Sequence, residues 1–562
     1  MKIRDALREP PAALGAGIVA AVAIAAYANA IPNGFAFDDI PIVVNNARVH
    51  ELDRLAQIWL TPYWPTRGEW LGLYRPLTIF AFALQWAIGG GSPLPFHLTN
   101  TLLHATVTGL LFLLLARLNR PLPALLGATV FAVHPVHTEA VANVVGQAEL
   151  LAAAGVIGAC LLYVGRPPEE ATWRRDAAIA TLYGGALLAK EHAIVAPGLL
   201  LLLELATGTH ARFPLRSRLN ARLRLALMLA LVAGAYLAVR YAVLGSLRGT
   251  DPAGPLSYLN EPTRILSAFR AWPEYARLLF WPAELSADYS PAVILPVRRM
   301  TPMAAFGAAL LILTALATVT IRNRPGLGLP AAWFLVSITP VSNLFFPVGI
   351  LVAERALYLP SVAVALATAF IANSAGVKRL RRLTRALALV ALAGACVAMT
   401  VRTVTRNPTW KDNAAVVRTL IRERPESYRS QWLAAVLLAQ AGDTARSEAH
   451  WQLAYRLWNG HPTFLTEFAL FSIRTGRYQR AIRLLERARP MPDGSIEEVL
   501  ATAYLLAGRP AEALVTTDRA LRRGTRSLPL LETRARALRA LGRHAEAAAA
   551  WQEALEIGRA HV

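Results

Sequence analysis

Two carboxylates, Asp38 and Asp39, stand side by side in "NGFAFDDIPIVVNN" (residues 33–46), directly after an almost uncharged run. Further ionisable residues recur at the ends of later apolar runs, where burying a charge is costly and has a reason. They are Arg75 in "LYRPLT", His97 in "FHLTN" with His104 beyond it, His134, His137 and Glu139 in "HPVHTEAV", and Glu149 in "VGQAELLA". Lys190, Glu191 and His192 in "LAKEHAIV", Asp288 in "SADYS", and Glu354 and Arg355 in "VAERALYLPS" complete the set. A carboxylate can take the proton of an acceptor hydroxyl. Arg and Lys can hold a phosphate leaving group and stabilise its growing charge. Gathered on one face of a membrane, these groups suit a reaction on an anionic, lipid-linked substrate. Adjacent carboxylates cannot both point the same way from an extended or helical backbone, so one of the pair faces the chemistry and the other holds structure or substrate.

The histidines do not read as a metal site. His134 and His137 are three apart, but Pro135 between them breaks a helical presentation, and the seven-residue spacing of His97 and His104 is loose. They read as hydrogen-bonding residues, and no metal is assigned. Lys190 reads equally as a snorkelling side chain or as a functional one, the neighbouring Glu191 favouring the second. Cys160 and Cys396 both fall inside apolar segments and read as small buried hydrophobes.

The elements that must position these residues follow from composition. The chain has 562 residues, 55% of them hydrophobic, and a mean hydropathy of +0.39. Its first four hundred or so residues are largely apolar runs separated by short Arg-bearing gaps, the composition of a polytopic membrane protein. The net charge of +22 comes almost wholly from Arg, since only Lys2, Lys190, Lys378 and Lys411 are lysines. Topology explains these clusters better than nucleic acid does, and the Arg and Ala richness suggests a bacterial inner membrane. The "ANA" before Ile31 resembles a cleavage site, but the apolar stretch is too long for a typical signal peptide, so it is taken as an uncleaved first span.

Candidate spans lie near 11–31, 96–116, 121–138, 144–164, 176–190, 193–208, 224–244, 302–321, 327–347, 357–373 and 385–403, eleven in all. With the N-terminus inside, the short basic clusters all become cytoplasmic: Lys2, Arg4 and Arg8; Arg117 and Arg120; Arg174 and Arg175; Arg212 to Arg224; Arg322 and Arg324; and "KRLRRLTR" at 378–385. Segments 76–90 and 264–282 are too short or too charged to count and are expected to lie in the outer interface. The outer face then carries the loop 32–95 with the acidic pair, the turn 134–140, the stretch 245–301, and everything beyond residue 404.

After the last span the composition turns to Ala, Arg, Leu and Glu with helical periodicity. Gly442, Gly476, Gly508 and Gly542 recur at spacings of 34, 32 and 34 residues. Alanines follow twelve residues after each (Ala454, Ala488, Ala520 and Ala554) and five residues after the last three (Ala481, Ala513 and Ala547), with Ser447 in the first unit. A glycine between two helices, with small residues where they cross, is the pattern of the tetratricopeptide repeat, whose solenoids bind peptide or protein or serve as a plain helical cap. The expected fold is all-α, with a transmembrane domain over 1–404 and a repeat domain over 405–562.

"FAFDDIPIVVNN", "YRPLT", "FHLTNTLLH", "HPVHTEAVANVVGQAELLA", "AKEHAIVAPGLLLL", "LSADYS" and "AERALYLPS", followed by the repeats, resemble the transmembrane and tetratricopeptide-repeat-containing O-mannosyltransferases of the C-type glycosyltransferase superfamily. The resemblance covers nearly the whole chain, in matching order. It implies an inverting transfer of a sugar, mannose in that family, from a polyprenyl-phosphate donor to protein Ser or Thr hydroxyls on the extracytoplasmic side. It carries the catalytic base onto the pair Asp38 and Asp39, with Asp39 preferred, and suggests Arg75, Lys190 and Arg355 as contacts to the donor phosphate. His97, His134, His137, Glu139, Glu191, Asp288 and Glu354 are candidates for supporting roles. The lipid-linked sugar is the donor substrate rather than a cofactor, and metal dependence is left open. Membrane lipid and an acceptor protein or peptide, held by the repeats in a periplasmic or other extracytoplasmic space, are the partners, with no nucleic acid. The chain has about four repeat units, fewer than family members often carry, which leaves acceptor choice open. The alternatives are the same donor chemistry on a lipid or polysaccharide acceptor, and a non-enzymatic membrane anchor with a repeat scaffold. The lack of a Rossmann glycine fingerprint favours a lipid-linked over a nucleotide-linked donor.

Reporter fusions test this topology. Fusions after residues 60 and 410 should report the extracytoplasmic side and a fusion after 215 the cytoplasm, and a cytoplasmic signal at 60 or 410 would undo the scheme.

Overall fold

Inside a bilayer, a run of Ala and Leu can satisfy its own backbone groups only by coiling. In the computed structural model the regular elements among the described residues are all helices, with no strand. The structure describes residues 12–65, 72–164, 172–207, 222–247, 256, 259–290, 293–294, 296–374, 377, 381–491 and 493–560. Lys2, Arg4, Arg8, Arg212, Arg216, Arg218, Lys378 and Arg379 of the basic clusters lie outside them. The chain divides into two compact units, residues 1–250 with 259–425, and residues 251–258 with 426–562.

In the first unit, six helical stretches among the described residues are long and apolar enough to cross a membrane: Ala12–Ala30, Leu94–Leu118, Val144–Tyr163, Leu223–Leu244, Pro302–Val319 and Arg382–Trp410. Several of them turn large apolar side chains outward, among them Leu231, Leu313, Val319 and Val390. Apolar surface on this scale needs lipid to cover it. The chain is an integral membrane protein.

The other five expected spans also fall on helices, but on shorter ones: Pro121–Ala132, Trp173–Ala189, Ala196–Ala206, Pro325–Ile338 and Val362–Asn373. Four helices of this unit, starting at Pro76, Pro121, Pro302 and Pro325, open on a proline, whose missing N–H would have no partner there in any case. The expected continuous helix over 121–138 does not form. It stops at Ala132 because Pro135 cannot donate into the ladder, and the chain continues as short turns of helix over Pro135–His137, Thr138–Ala142 and Val144–Gly146. Nor is 134–140 an exposed turn, because every residue from 131 to 150 is buried. Irregular backbone at membrane depth is tolerated where protein covers it. Likewise the expected span 327–347 is helical only to Ile338, with a short 3-10 turn to Val341.

The segments expected at the interface are the helices Pro76–Gly89, closed by Gly90 at φ 56°, and Glu261–Phe280, which carries Pro273 inside it. The second helix does not leave all its charges in water. Arg264 is buried and donates to the carbonyls of Asn343 and Leu344, and Arg277 pairs with Glu274 along the helix.

Close approach of helix backbones builds the core. Ala12–Tyr27 lies along Leu94–Leu118, and Val362–Asn373 lies on Pro121–Ala132, where Gly127 meets the carbonyl of Ala365. The second unit stacks four helix pairs among its described residues, starting at Tyr428, Pro462, Ser495 and Leu528. Gly442, Gly476, Gly508 and Gly542 sit in the left-handed region, at φ 81°, 73°, 75° and 76°, in the turns inside these pairs. Ser447, Ala454, Ala481, Ala513, Ala520, Ala547 and Ala554 are buried, while Ala488 is half-buried. Trp451 stacks on Phe468 with ring centroids 5.3 Å apart, joining one pair to the next.

A methyl group at Gly127 has no room against the Ala365 carbonyl. Gly127→Ala should therefore destabilise the first unit by about 1–3 kcal/mol, read as a lowered unfolding midpoint in detergent, whereas Gly234→Ala, with open space around it, should not.

Candidate active site

The acidic pair sits where the chain leaves its first helix, on a turn anchored from a distant part of the sequence. Gly34 N–H donates to the Lys411 carbonyl at 2.9 Å, the Asn33 amide donates to the Asn407 carbonyl at 3.1 Å, and Phe37 N–H donates to Asn413 Oδ1 at 2.6 Å. His97 Nε2 adds a bond to the Gly34 carbonyl at 3.0 Å. Held this way, Phe37 adopts φ 57°, a left-handed conformation that bulky residues rarely take. The turn sends the two acids in different directions.

Asp39 goes inward and is 1% exposed. One of its oxygens accepts from Ala36 N–H at 3.0 Å and the other from Val145 N–H at 2.9 Å. Burial pushes this carboxyl up to about 7 against the pull of those backbone donors. Asp38 keeps 21% of its side chain exposed and lies 3.9 Å from Arg355. Arg355 is itself positioned by Glu139, which accepts from its guanidinium at 2.7 Å and from its backbone N–H at 2.8 Å.

Two further ion pairs complete the cluster. Glu191 takes Arg75 with both oxygens, at 2.9 and 2.5 Å. Burial alone would raise the Glu191 carboxyl, but Arg75 overrides it and holds the group well below the ordinary range. Lys190 pairs with Glu149, whose other oxygen lies 3.7 Å from His192. Arg355 feels the charges of Asp38, Glu149 and Arg75, and Lys190 those of Arg75 and Glu191, so the pairs form one electrostatic assembly. Each cation comes with its own carboxylate. What it offers an anion is unused N–H donors, since a guanidinium has five and Glu191 takes two of those on Arg75.

The remaining candidates stand outside this cluster. His134 Nε2 donates to the Leu279 carbonyl at 3.0 Å, and His137 Nε2 meets Ser361 Oγ at 2.7 Å. Asp288 accepts from Ser290 Oγ at 2.6 Å. Glu354 accepts from Ser286 N–H at 2.5 Å and the Tyr289 hydroxyl at 2.7 Å. Burial, with Glu139 nearby, pushes Glu354 up to about 8 despite Arg406. Among the described residues, no group of three or more His, Cys, Asp or Glu side chains is placed to hold a metal ion.

No family profile matches the chain. It is 30% identical to protein O-mannosyl-transferase TMTC3 of Mus musculus over 433 residues, 70% of this chain and 46% of that protein. Identity to TMTC4 of Homo sapiens is 29% over 478 residues, 76% of this chain and 64% of that one. Identity to protein O-mannosyl-transferase F38B6.6 of Caenorhabditis elegans is 26% over 449 residues, 78% of this chain and 62% of that one. The chain belongs to the TMTC family. It spans about half to two thirds of the length of these relatives. They are animal proteins and give no support to the bacterial inner membrane suggested by composition.

In this TMTC-family chain, the structure draws together Asp38, Asp39, Arg75, Glu139, Lys190, Glu191 and Arg355, with Glu149 as the partner of Lys190. Sequence reading missed Tyr63, over whose ring the Arg75 guanidinium lies at 5.0 Å, and missed Tyr289 and Arg406 around Glu354. No charge or spacing in "TPYWP" marks Tyr63. Only the fold of the loop brings it to Arg75.

Asn at position 39 keeps one acceptor oxygen for two N–H donors, so Asp39→Asn should cost about 1–3 kcal/mol of stability. The folded protein also holds the Asp39 proton more tightly than the unfolded chain does. The cost of burying its charge is therefore absent below the ordinary value of 3.8 and fully felt once pH rises above about 7. Unfolding midpoints measured between those limits should fall with rising pH in the native protein and fall less in Asp39→Asn.

Proposed function

We propose that the chain is a membrane glycosyltransferase that moves a sugar from a polyprenyl-phosphate donor to a hydroxyl of an acceptor protein, with Asp38 as the general base. The observation that carries this reading is the contrast between the two acids. Both oxygens of Asp39 are already committed to backbone N–H groups, whereas Asp38 is partly exposed beside Arg355. Sequence alone favoured Asp39. The geometry favours Asp38 for the chemistry and Asp39 for the architecture that aims it.

In this mechanism the acceptor oxygen attacks the anomeric carbon from the face opposite the phosphate and the new C–O bond forms with inversion. The acceptor proton passes to the Asp38 carboxylate. The bond between the anomeric carbon and the phosphate oxygen breaks, and its electron pair leaves with polyprenyl phosphate. Unused N–H donors of Arg75, Lys190 and Arg355 bind the phosphate oxygens, where negative charge grows in the transition state. Glu191, Glu149 and Glu139 hold those cations in place, so little reorganisation is needed as the charge develops.

The names of the relatives, protein O-mannosyl-transferases, support mannose as the sugar and protein as the acceptor. The positive clusters support an extracytoplasmic site. The helix pairs of the second unit, read as tetratricopeptide repeats, are proposed to engage the acceptor.

Transfer of label from polyprenyl-phosphate mannose to a Ser/Thr peptide by the purified full chain tests the proposal. Asp38→Asn should lower kcat by about 100-fold or more, the range for loss of a general base, with the donor KM little changed. Normal transfer by Asp38→Asn would sink the assignment, and loss confined to Asp39→Asn would return the role to Asp39.

A further inference from the structure

Tyr63 is only 3% exposed, and its ring belongs to the apolar cluster of Ile42, Val43, Val49 and Phe82. The backbone around it is fixed, with Tyr63 N–H donating to the Leu73 carbonyl at 2.9 Å and Arg48 reaching the Tyr63 carbonyl at 3.4 Å. Its hydroxyl nonetheless finds no hydrogen-bond partner among the described residues. Buried tyrosine hydroxyls ordinarily have one. Elsewhere in this unit Tyr74 donates to the Trp59 carbonyl, Tyr275 to the Leu351 carbonyl and Tyr289 to Glu354. Tyr183 also lacks a hydrogen-bond partner among the described residues, but no charge of the active-site cluster acts on it. On Tyr63, by contrast, the charges of Arg75, Asp38, Asp39 and Arg355 all act, and the Arg75 guanidinium lies over its ring.

An unpaired donor fixed at the edge of a charged cluster is an unfilled half of a hydrogen bond, and the chemistry of its neighbours identifies the other half. Each nearby cation already shares its charge with a carboxylate, so a bound phosphate gains N–H bonds from them but little net positive charge. A neutral O–H donor adds a bond with no counter-carboxylate of its own. Burial raises the phenol further above its ordinary range, which keeps it protonated and donating.

We infer that the Tyr63 hydroxyl donates to a phosphate oxygen of the lipid-linked donor, and of the polyprenyl phosphate it leaves behind, alongside Arg75. This rests on the donor class proposed above. Tyr63 exchanges no proton in the step. It binds the phosphate in the donor, in the transition state and in the product, most strongly where the charge is greatest.

Tyr63→Phe removes the hydroxyl and leaves the ring under Arg75, so its unfolding midpoint should match that of the native chain. Equilibrium binding of radiolabelled polyprenyl phosphate to the purified full chain in detergent reads the effect without turnover. The native chain should bind, and Tyr63→Phe should bind roughly tenfold or more weakly, the loss expected for a hydrogen bond to a charged group. The KM for acceptor peptide should be unchanged. Equal binding by the variant, a loss seen only in the acceptor KM, or no binding by the native chain would each overturn the inference. Asp38→Asn separates this result from the proposed function: if it binds polyprenyl phosphate and transfers normally, the base assignment fails while the role of Tyr63 stands or falls on its own binding data.

Discussion

The buried carboxylate of Asp39 is the joint on which the geometry of the site depends. A charge removed from water must find hydrogen-bond donors or give up its ionisation. Asp39 finds them on two separate pieces of chain, the turn at Ala36 and the buried segment at Val145. One side chain therefore closes the first loop onto the interior of the membrane unit. Because neighbouring residues on this turn diverge, fixing Asp39 inward fixes Asp38 outward, toward Arg355. The left-handed Phe37 is held at the same place, with Asn413 accepting from its N–H.

From that joint the charge network follows in order. Glu139 lies on the buried segment that also presents Val145, and it takes both the backbone and the side chain of Arg355. Arg75 and Lys190 are held in the same manner by Glu191 and Glu149. Buried ion pairs of this kind contribute little net stability, because desolvation consumes much of their attraction. Their value here is positional. Three cations are fixed at low dielectric with donors to spare, the condition under which growing charge on a leaving group is best stabilised.

The same economy of polar groups explains how non-helical backbone survives in the middle of the unit. The segment from Val133 to Gly146 is broken by Pro135, yet several of the carbonyls in and beside it find side-chain partners. Asn100 donates to the carbonyls of Val141, Asn143 and Val144, His104 meets the Ala132 carbonyl, and Thr403 donates to the Val133 carbonyl. Histidines that looked like metal-ligand candidates by residue type are tied to carbonyls and hydroxyls instead.

Much of this was legible in the residues alone. Apolar runs determine helices because a chain in lipid has no other partner for its backbone, and the recurring glycines mark turns because their backbone conformation disfavours side chains. Charged residues at the ends of those runs single out the candidate site, because burying a charge is costly, but they do not say which of them the fold gathers. Sequence preferred Asp39 as the base, because the contact across the fold that turns Asp39 toward Val145 leaves no mark on the local residues. It also read helix through His134 and Pro135 as a span, because hydropathy counts apolar residues without counting missing N–H donors. Tyr63 was invisible for a related reason. An aromatic residue in a loop carries no signal of its own, and only tertiary structure brings its ring under Arg75. Local chemistry decided which residues would be costly to bury, and the packing of distant segments decided what each of them faces.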